Sequence, residues 1–204
     1  MHGFALRSHM AKSVRPKVWR PHRCSNDFTL PFSPSVEAVL RSVLAGEAGE
    51  ALVSALTCDA ELQELTAITS EPGATGQSIH SDDNWSATAP RRLTIFLALH
   101  NVVDEAMGPT RFYPGTHAPC CFPGERWLPP TAALAAERQS AWFELRAGDA
   151  VLMDSLTWHC GGANASEWRR TLLSASFVAP MAGGTGDDDA SLHKLARWLG
   201  RSSV

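Results

Sequence analysis

From Leu65 onward the chain is written in short apolar runs, Leu65 to Ile68, Leu93 to Leu99, Trp142 to Leu145, Ala150 to Leu156 and Thr171 to Val178, separated by clusters of Gly, Pro and Asp. Runs of this length are too short for ordinary helices, and the turn residues between them break any longer period, so the second half is expected to be rich in β-strands. Upstream the pattern differs. Ser33-Pro34-Ser35 followed by Val36, Val39, Leu40, Val43 and Leu44 carries an N-cap signal and helical spacing, and a second short helical pattern covers roughly residues 48–57. The segment Pro119 to Ser140 has several prolines and then a short helical stretch, Ala132 to Arg138, which suits a surface insertion. Asp187 to Asp189 are expected to cap a last helix through Ala190, Leu192, Leu195, Ala196 and Leu199. The expected class is therefore mainly β with flanking helices.

With 204 residues the chain suits one domain, placed at 26–204, behind a basic tail at 1–25 that holds Arg7, Lys12, Arg15, Lys17, Arg20 and Arg23 and no acid. Hydrophobic residues make up 44%, charged residues 19%, and the net charge is -3, a balance that argues against a chain that coats nucleic acid. No stretch is long and apolar enough for a membrane span or a secretory signal. The five cysteines are odd in number, and the adjacent pair Cys120-Cys121 fits no zinc spacing, so reduced thiols are expected. An intracellular, cytoplasmic location follows as the default, with organelle import through the basic arm as the alternative. The two Asn-x-Ser matches, at Asn84 and Asn164, have no consequence in such a compartment.

Chemistry concentrates at His80-Ser81-Asp82 and at His159. On a strand, residues i and i+2 share a face, so His80 and Asp82 can offer one nitrogen and one oxygen to a single ion, with His159 arriving from elsewhere. Two imidazoles and a carboxylate form the facial ligand set of non-haem Fe(II), which leaves half of an octahedral metal open. An isolated HxD is a common accident, so its surroundings decide its weight. Asp83 competes by adjacency but would point away from His80. His117 suits a structural turn histidine and His100 a surface position at a strand end, while Trp85 and Trp158 could line an apolar pocket or simply pack in the core.

Upstream of the HxD stands Glu71-Pro72-Gly73-Ala74-Thr75-Gly76-Gln77, and downstream Gly108-Pro109-Thr110-Arg111-Phe112-Tyr113-Pro114-Gly115-Thr116-His117. Gly148-Asp149 follows, and then His159-Cys160-Gly161-Gly162-Ala163-Asn164-Ala165-Ser166-Glu167-Trp168-Arg169-Arg170. In this order and spacing the pieces resemble the phytanoyl-CoA dioxygenase-like family of Fe(II)/2-oxoglutarate oxygenases. The resemblance implies a double-stranded β-helix, the cupin-like jelly roll, and makes His80, Asp82 and His159 the catalytic iron ligands. It also implies 2-oxoglutarate as cosubstrate, with a carboxylate held by Arg170, which lies at the family's usual distance of eleven residues after the distal histidine. Arg169 is the competing anchor, and a guanidinium suits the task because it grips a carboxylate through parallel hydrogen bonds without losing its charge.

Gln77 and Thr110 match positions that hydrogen-bond the cosubstrate in several members, against the plainer roles of strand-edge amide and turn hydroxyl. The implied reaction is hydroxylation of a small-molecule substrate by dioxygen, with release of succinate and CO2. Asp82 speaks against halogenation, which generally needs the carboxylate site vacated. A cupin-type metal protein without 2-oxoglutarate, or a silent truncated binding module, are the other readings of the same residues. Family members commonly have a longer region ahead of the HxD than the 79 residues here.

Overall fold

The computed structural model describes residues 25–84, 89–118, 132–180 and 194–199. The basic tail, the cysteines at 120 and 121, Trp85 and the expected cap Asp187 to Asp189 lie outside these residues.

Strand β1 (Ser25–Thr29) leads into two helices, α1 (Pro34–Leu44) and α2 (Glu47–Leu56). The expected start of α1 is present: Ser33 is extended, its hydroxyl accepts from the Val36 N–H, and Pro34 occupies the first turn, where no N–H partner is needed. Strands β2 (Glu61–Ser70), β3 (Arg92–Ala98), β5 (Ala150–Asp154) and β7 (Arg170–Val178) join β1 in a five-stranded sheet of order β1-β2-β7-β3-β5, with all four pairings antiparallel. A second, smaller sheet pairs β4 (Thr110–Phe112) with β6 (His159–Gly161). It is widened on one side by the His80–His159 bridge and on the other by the Phe112–Ala141 bridge. Short helices α3 (Ala132–Ala136) and α4 (Leu195–Trp198) and a single 3-10 turn at Glu105–Met107 complete the described elements.

Period-two alternation sorts the large sheet into two faces. Leu93, Ile95 and Leu97 of β3 and Leu173, Ala175 and Phe177 of β7 pack under Leu40, Leu44, Leu52 and Leu56 of the helices. The other face turns toward the small sheet, where Phe96, Ala98, Met153 and Leu172 meet Phe112. Arg170 belongs to the parity of Leu172 and therefore faces the space between the sheets. The strand-rich second half is as expected except at Trp142 to Leu145, which forms no strand. Its two ends bridge to different partners, Ala141 to Phe112 and Leu145 to Val102, and Phe143 between them is exposed, so no continuous ladder can run through it.

Candidate metal and cosubstrate site

The HxD segment and β6 meet on one rung: His80 N–H donates to the His159 carbonyl at 2.9 Å and His159 N–H returns the bond at 2.8 Å. The two rings lie side by side with centroids 4.3 Å apart. Each imidazole is aimed by its own backbone. The His80 Nδ1 lies 2.9 Å from the Ser78 carbonyl and the His159 Nδ1 3.0 Å from the Thr157 carbonyl. A carbonyl only accepts, so both Nδ1 atoms carry the proton and both Nε2 lone pairs are free. These lone pairs converge on Asp82 Oδ1, at 3.8 Å from His80 and 3.6 Å from His159.

His80, Asp82 and His159 thus offer three ligand atoms within 4.8 Å of one another. Such a donor set, two neutral nitrogens and an anionic oxygen with the distal nitrogens held by carbonyls, fits a divalent transition metal. Burial holds the His159 pKa below its ordinary value, against the upward pull of Asp82, so the ring stays neutral and able to ligate at neutral pH.

Beside this cluster lies a pocket whose lining includes Phe96, Val102, Thr110, Phe112, Arg170 and Leu172. Phe96 and Phe112 also flank the His159 ring, at 6.2 and 6.4 Å between centroids, and so link the pocket to the metal cluster. Arg170 is 3% exposed, and its Nε and Nη1 have no hydrogen-bond partner. Burial draws its pKa down to about 10, which leaves it charged at neutral pH. A charged guanidinium buried with idle donors fits a carboxylate that enters from outside. Arg169, by contrast, is exposed and paired with Glu71. The one-residue offset separates them, since β7 begins at Arg170 and strand parity sends neighbours to opposite faces.

Thr110 lines the same pocket as Arg170. Gln77 is spoken for in part: its N–H donates to the Gly161 carbonyl and its Oε1 accepts from the Gly161 N–H, both at 2.8 Å. A side chain at Gly161 would crowd both Gln77 and the Arg170 Nη2.

Other sequence expectations divide. Asp83 does point away, toward Arg92, and His117 is exposed. His100 is not a plain surface residue, because its Nε2 accepts from the Thr171 N–H at 3.2 Å and holds the start of β7. Trp158 is fully buried among Tyr113 and Ala135, in the core rather than in the pocket, whose aromatic walls are phenylalanines.

Sequence reasoning missed two contributors. Asn164 is 1% exposed and uses its whole amide, donating to the Ser70 and Trp168 carbonyls and accepting from the N–H and hydroxyl of Ser166, which folds the loop that delivers Arg170. Asp27, on β1 opposite Ile68, shares the inner face, and its carboxyl pKa is raised by burial and also responds to the charges of His80 and Asp82. No motif flagged Asp27, because its place is set by strand pairing alone.

The GPT turn and the loop after His159 touch backbone to backbone. Gly108 has φ +66°, and a Cβ there would stand 2.5 Å from the Gly162 carbonyl oxygen. Gly108→Ala is therefore expected to destabilise the fold by at least ~2 kcal/mol, combining left-handed strain with a backbone overlap that cannot relax locally. Gly73→Ala has a similar φ, +81°, but open space around it, and should lose only ~1 kcal/mol from conformation. Urea denaturation of the two variants checks the difference.

The family model for phytanoyl-CoA dioxygenase (PhyH) matches residues 12–172. The chain belongs to this family. Among curated proteins the PhyH chain is 30% identical over 145 residues to Dioxygenase aneA of Aspergillus aculeatus (strain ATCC 16872 / CBS 172.66 / WB 5094), a match covering 67% of this chain. It spans about half, 46%, of that relative's length. Among solved structures it is similar to HygX from Streptomyces hygroscopicus with nickel and 2-oxoglutarate bound, with TM-score 0.59 and 14% identity over 79% of this chain and 72% of that one. It is also similar to the epimerase SnoN in complex with Fe3+, alpha ketoglutarate and nogalamycin RO, with TM-score 0.54 and 22% identity over 76% and 68% of the two chains. At these identities the structural likeness concerns the fold, the jelly roll that the PhyH chain shares with them. No helix among the described residues is long and apolar enough to cross a membrane.

Proposed function

We propose that this PhyH-family chain is an Fe(II)- and 2-oxoglutarate-dependent oxygenase that hydroxylates a small molecule with dioxygen, releasing succinate and CO2. The observation that carries the proposal is the pairing of a convergent two-histidine, one-aspartate cluster with a buried guanidinium whose donors are idle. A metal protein of the same fold that did not use a dicarboxylate would have no reason to keep Arg170 charged and unsatisfied between its sheets.

In this reading His80, Asp82 and His159 hold the iron on one face, and the Nδ1 bonds to Ser78 and Thr157 keep the rings in the ligating tautomer. A bound iron with its keto-acid cosubstrate would supply the oxidising chemistry. Arg170 binds the far carboxylate of the cosubstrate, and Thr110 and the Gln77 amide donate further hydrogen bonds. Phe96, Phe112 and Leu172 keep water from the stem of the molecule and so strengthen the charge pair at Arg170.

The same scaffold can direct other outcomes, as the epimerase SnoN illustrates. Product mass separates them: hydroxylation adds one oxygen, ring closure or desaturation removes two hydrogens, and epimerisation changes nothing. The test is a panel of small molecules incubated with the protein, Fe(II), 2-oxoglutarate and dioxygen. Succinate formation that depends on both iron and 2-oxoglutarate, with an oxygen-bearing product, is the expected result. Absence of succinate across the panel together with no anaerobic binding of 2-oxoglutarate would overturn the proposal.

A further inference from the structure

Asp82 sits in a bend between the His80 rung and β3, with its carboxylate Oδ1 3.8 Å from the His80 Nε2 and 3.6 Å from the His159 Nε2. What fixes it comes through its neighbour. Arg92, on the inner-face parity of β3 with Thr94 and Phe96, grips Asp83 with two bonds, Nε to Oδ2 at 2.8 Å and Nη2 to Oδ1 at 2.7 Å, and the same Nη2 reaches the Asp82 carbonyl at 3.3 Å. The Asp82 and Asp83 N–H groups both donate to the Ser155 carbonyl, at 2.9 and 3.2 Å, and the Ser155 N–H donates to the Arg92 carbonyl at 3.1 Å. The result is a closed ring of hydrogen bonds joining the start of β3, the end of β5 and the HxD bend.

We infer that the Arg92–Asp83 pair is a strut that positions Asp82 for the metal, so that Arg92 and Asp83 are positioning residues for the iron site. The inference rests on the reading of His80, Asp82 and His159 as metal ligands. Three features favour a built device over a chance surface ion pair. Arg92 is largely covered, its side chain 16% exposed, so the pair is less screened than an exposed one. The contact is bidentate, which fixes direction as well as distance. Behind Ser155 the hydroxyls of Thr94 and Ser176 bond at 2.9 Å in the core, with the Ser155 Oγ 3.4 Å from Thr94, so the far end of the ring is anchored in rigid sheet. Among the described residues Gln63 at 3.4 Å and Glu64 at 4.0 Å lie at Nη1 of Arg92, both on β2 rather than in the bend.

The test is titration of the full chain with Co(II), a redox-stable probe whose visible d–d spectrum reports ligand geometry. Partners that orient a metal ligand are worth about 10- to 100-fold in metal affinity. Arg92→Ala and Asp83→Asn are each expected to weaken Co(II) binding at least ~10-fold and to alter the d–d spectrum, and the double variant to lose no more than the larger single loss, because the two residues act as one unit. Arg92→Lys, which keeps the charge but not the fork, should recover only part of the affinity. Arg91→Ala, one residue away and paired with Asp154 on the surface, should bind like the wild type. Should Arg92→Ala fail to fold, Asp83→Asn, which keeps the shape and removes the charge, carries the test alone. Wild-type protein that takes up no Co(II) would sink the metal reading itself. Wild-type binding with unchanged affinity and spectrum in Asp83→Asn, or fully additive losses in the double variant, would overturn the strut alone.

Discussion

Arg170→Met is expected to make the ligand-free protein more stable while abolishing its response to 2-oxoglutarate. The native guanidinium is 3% exposed with two idle nitrogens, and burial lowers its pKa from its ordinary value to about 10. A shift of that size corresponds to ~3 kcal/mol of unfavourable charge burial in the folded state. The folded pKa lies below the unfolded one, so the full penalty applies at any pH below about 10 and fades only as the pH rises beyond it. Near neutrality it is constant.

Methionine fills a similar volume without charge, and replacing a buried ionic group by an apolar one commonly gains ~1–4 kcal/mol. Thermal unfolding without ligand should therefore rise by several degrees in Arg170→Met. Added 2-oxoglutarate should raise the melting temperature of the wild type but not of the variant, whose affinity should fall on the order of 10²-fold or more, as for other truncated buried charge pairs. Arg169→Met breaks only an exposed pair with Glu71 and should leave both measurements near wild type. A larger loss of 2-oxoglutarate binding in Arg169→Met than in Arg170→Met would reverse the assignment.

The second large effect is expected at Asp82. Removing its carboxylate leaves two imidazoles and no anionic ligand, and a neutral pair of nitrogens holds a divalent ion far more weakly. In Asp82→Ala the visible charge-transfer band that Fe(II) and 2-oxoglutarate form anaerobically should vanish, and turnover should fall by roughly 10³-fold or more, since the metal's electrostatic contribution is worth several kcal/mol. The fold should survive, because the Asp82 backbone N–H still reaches the Ser155 carbonyl. A band of wild-type strength in Asp82→Ala would show that the iron is held elsewhere.

What could be read of this site in the chain came from the order and spacing of motifs that resemble the family's. Arg170 has the parity of Leu172 on β7, which places it on the inner face, whereas Asp82 lies in a bend, where alternation along a strand does not apply. The Ser33 cap and the helices that follow were legible from local residue spacing. The failures are of a different sort. Asp27 is brought near the cluster by cross-strand pairing with Ile68, and His100 is tied to β7 by a bond from Thr171. Each depends on which strands lie side by side, which residue spacing does not encode. Of the two tryptophans beside the ligands Trp158 packs in the core, one of the two places open to it, whereas the pocket walls Phe96 and Phe112 are placed by the pairing of sheets across the core.

One rung of the small sheet carries two of the three ligands. His80 and His159 exchange both of their backbone hydrogen bonds, so their side chains emerge together on one face. A slip of a single residue between these segments would send one imidazole to the opposite face and dismantle the cluster. An ion gripped by both rings therefore acts as a proofreader of strand alignment, because only the correct register can hold it. Its binding free energy is then added to that one alignment and withheld from every neighbouring one.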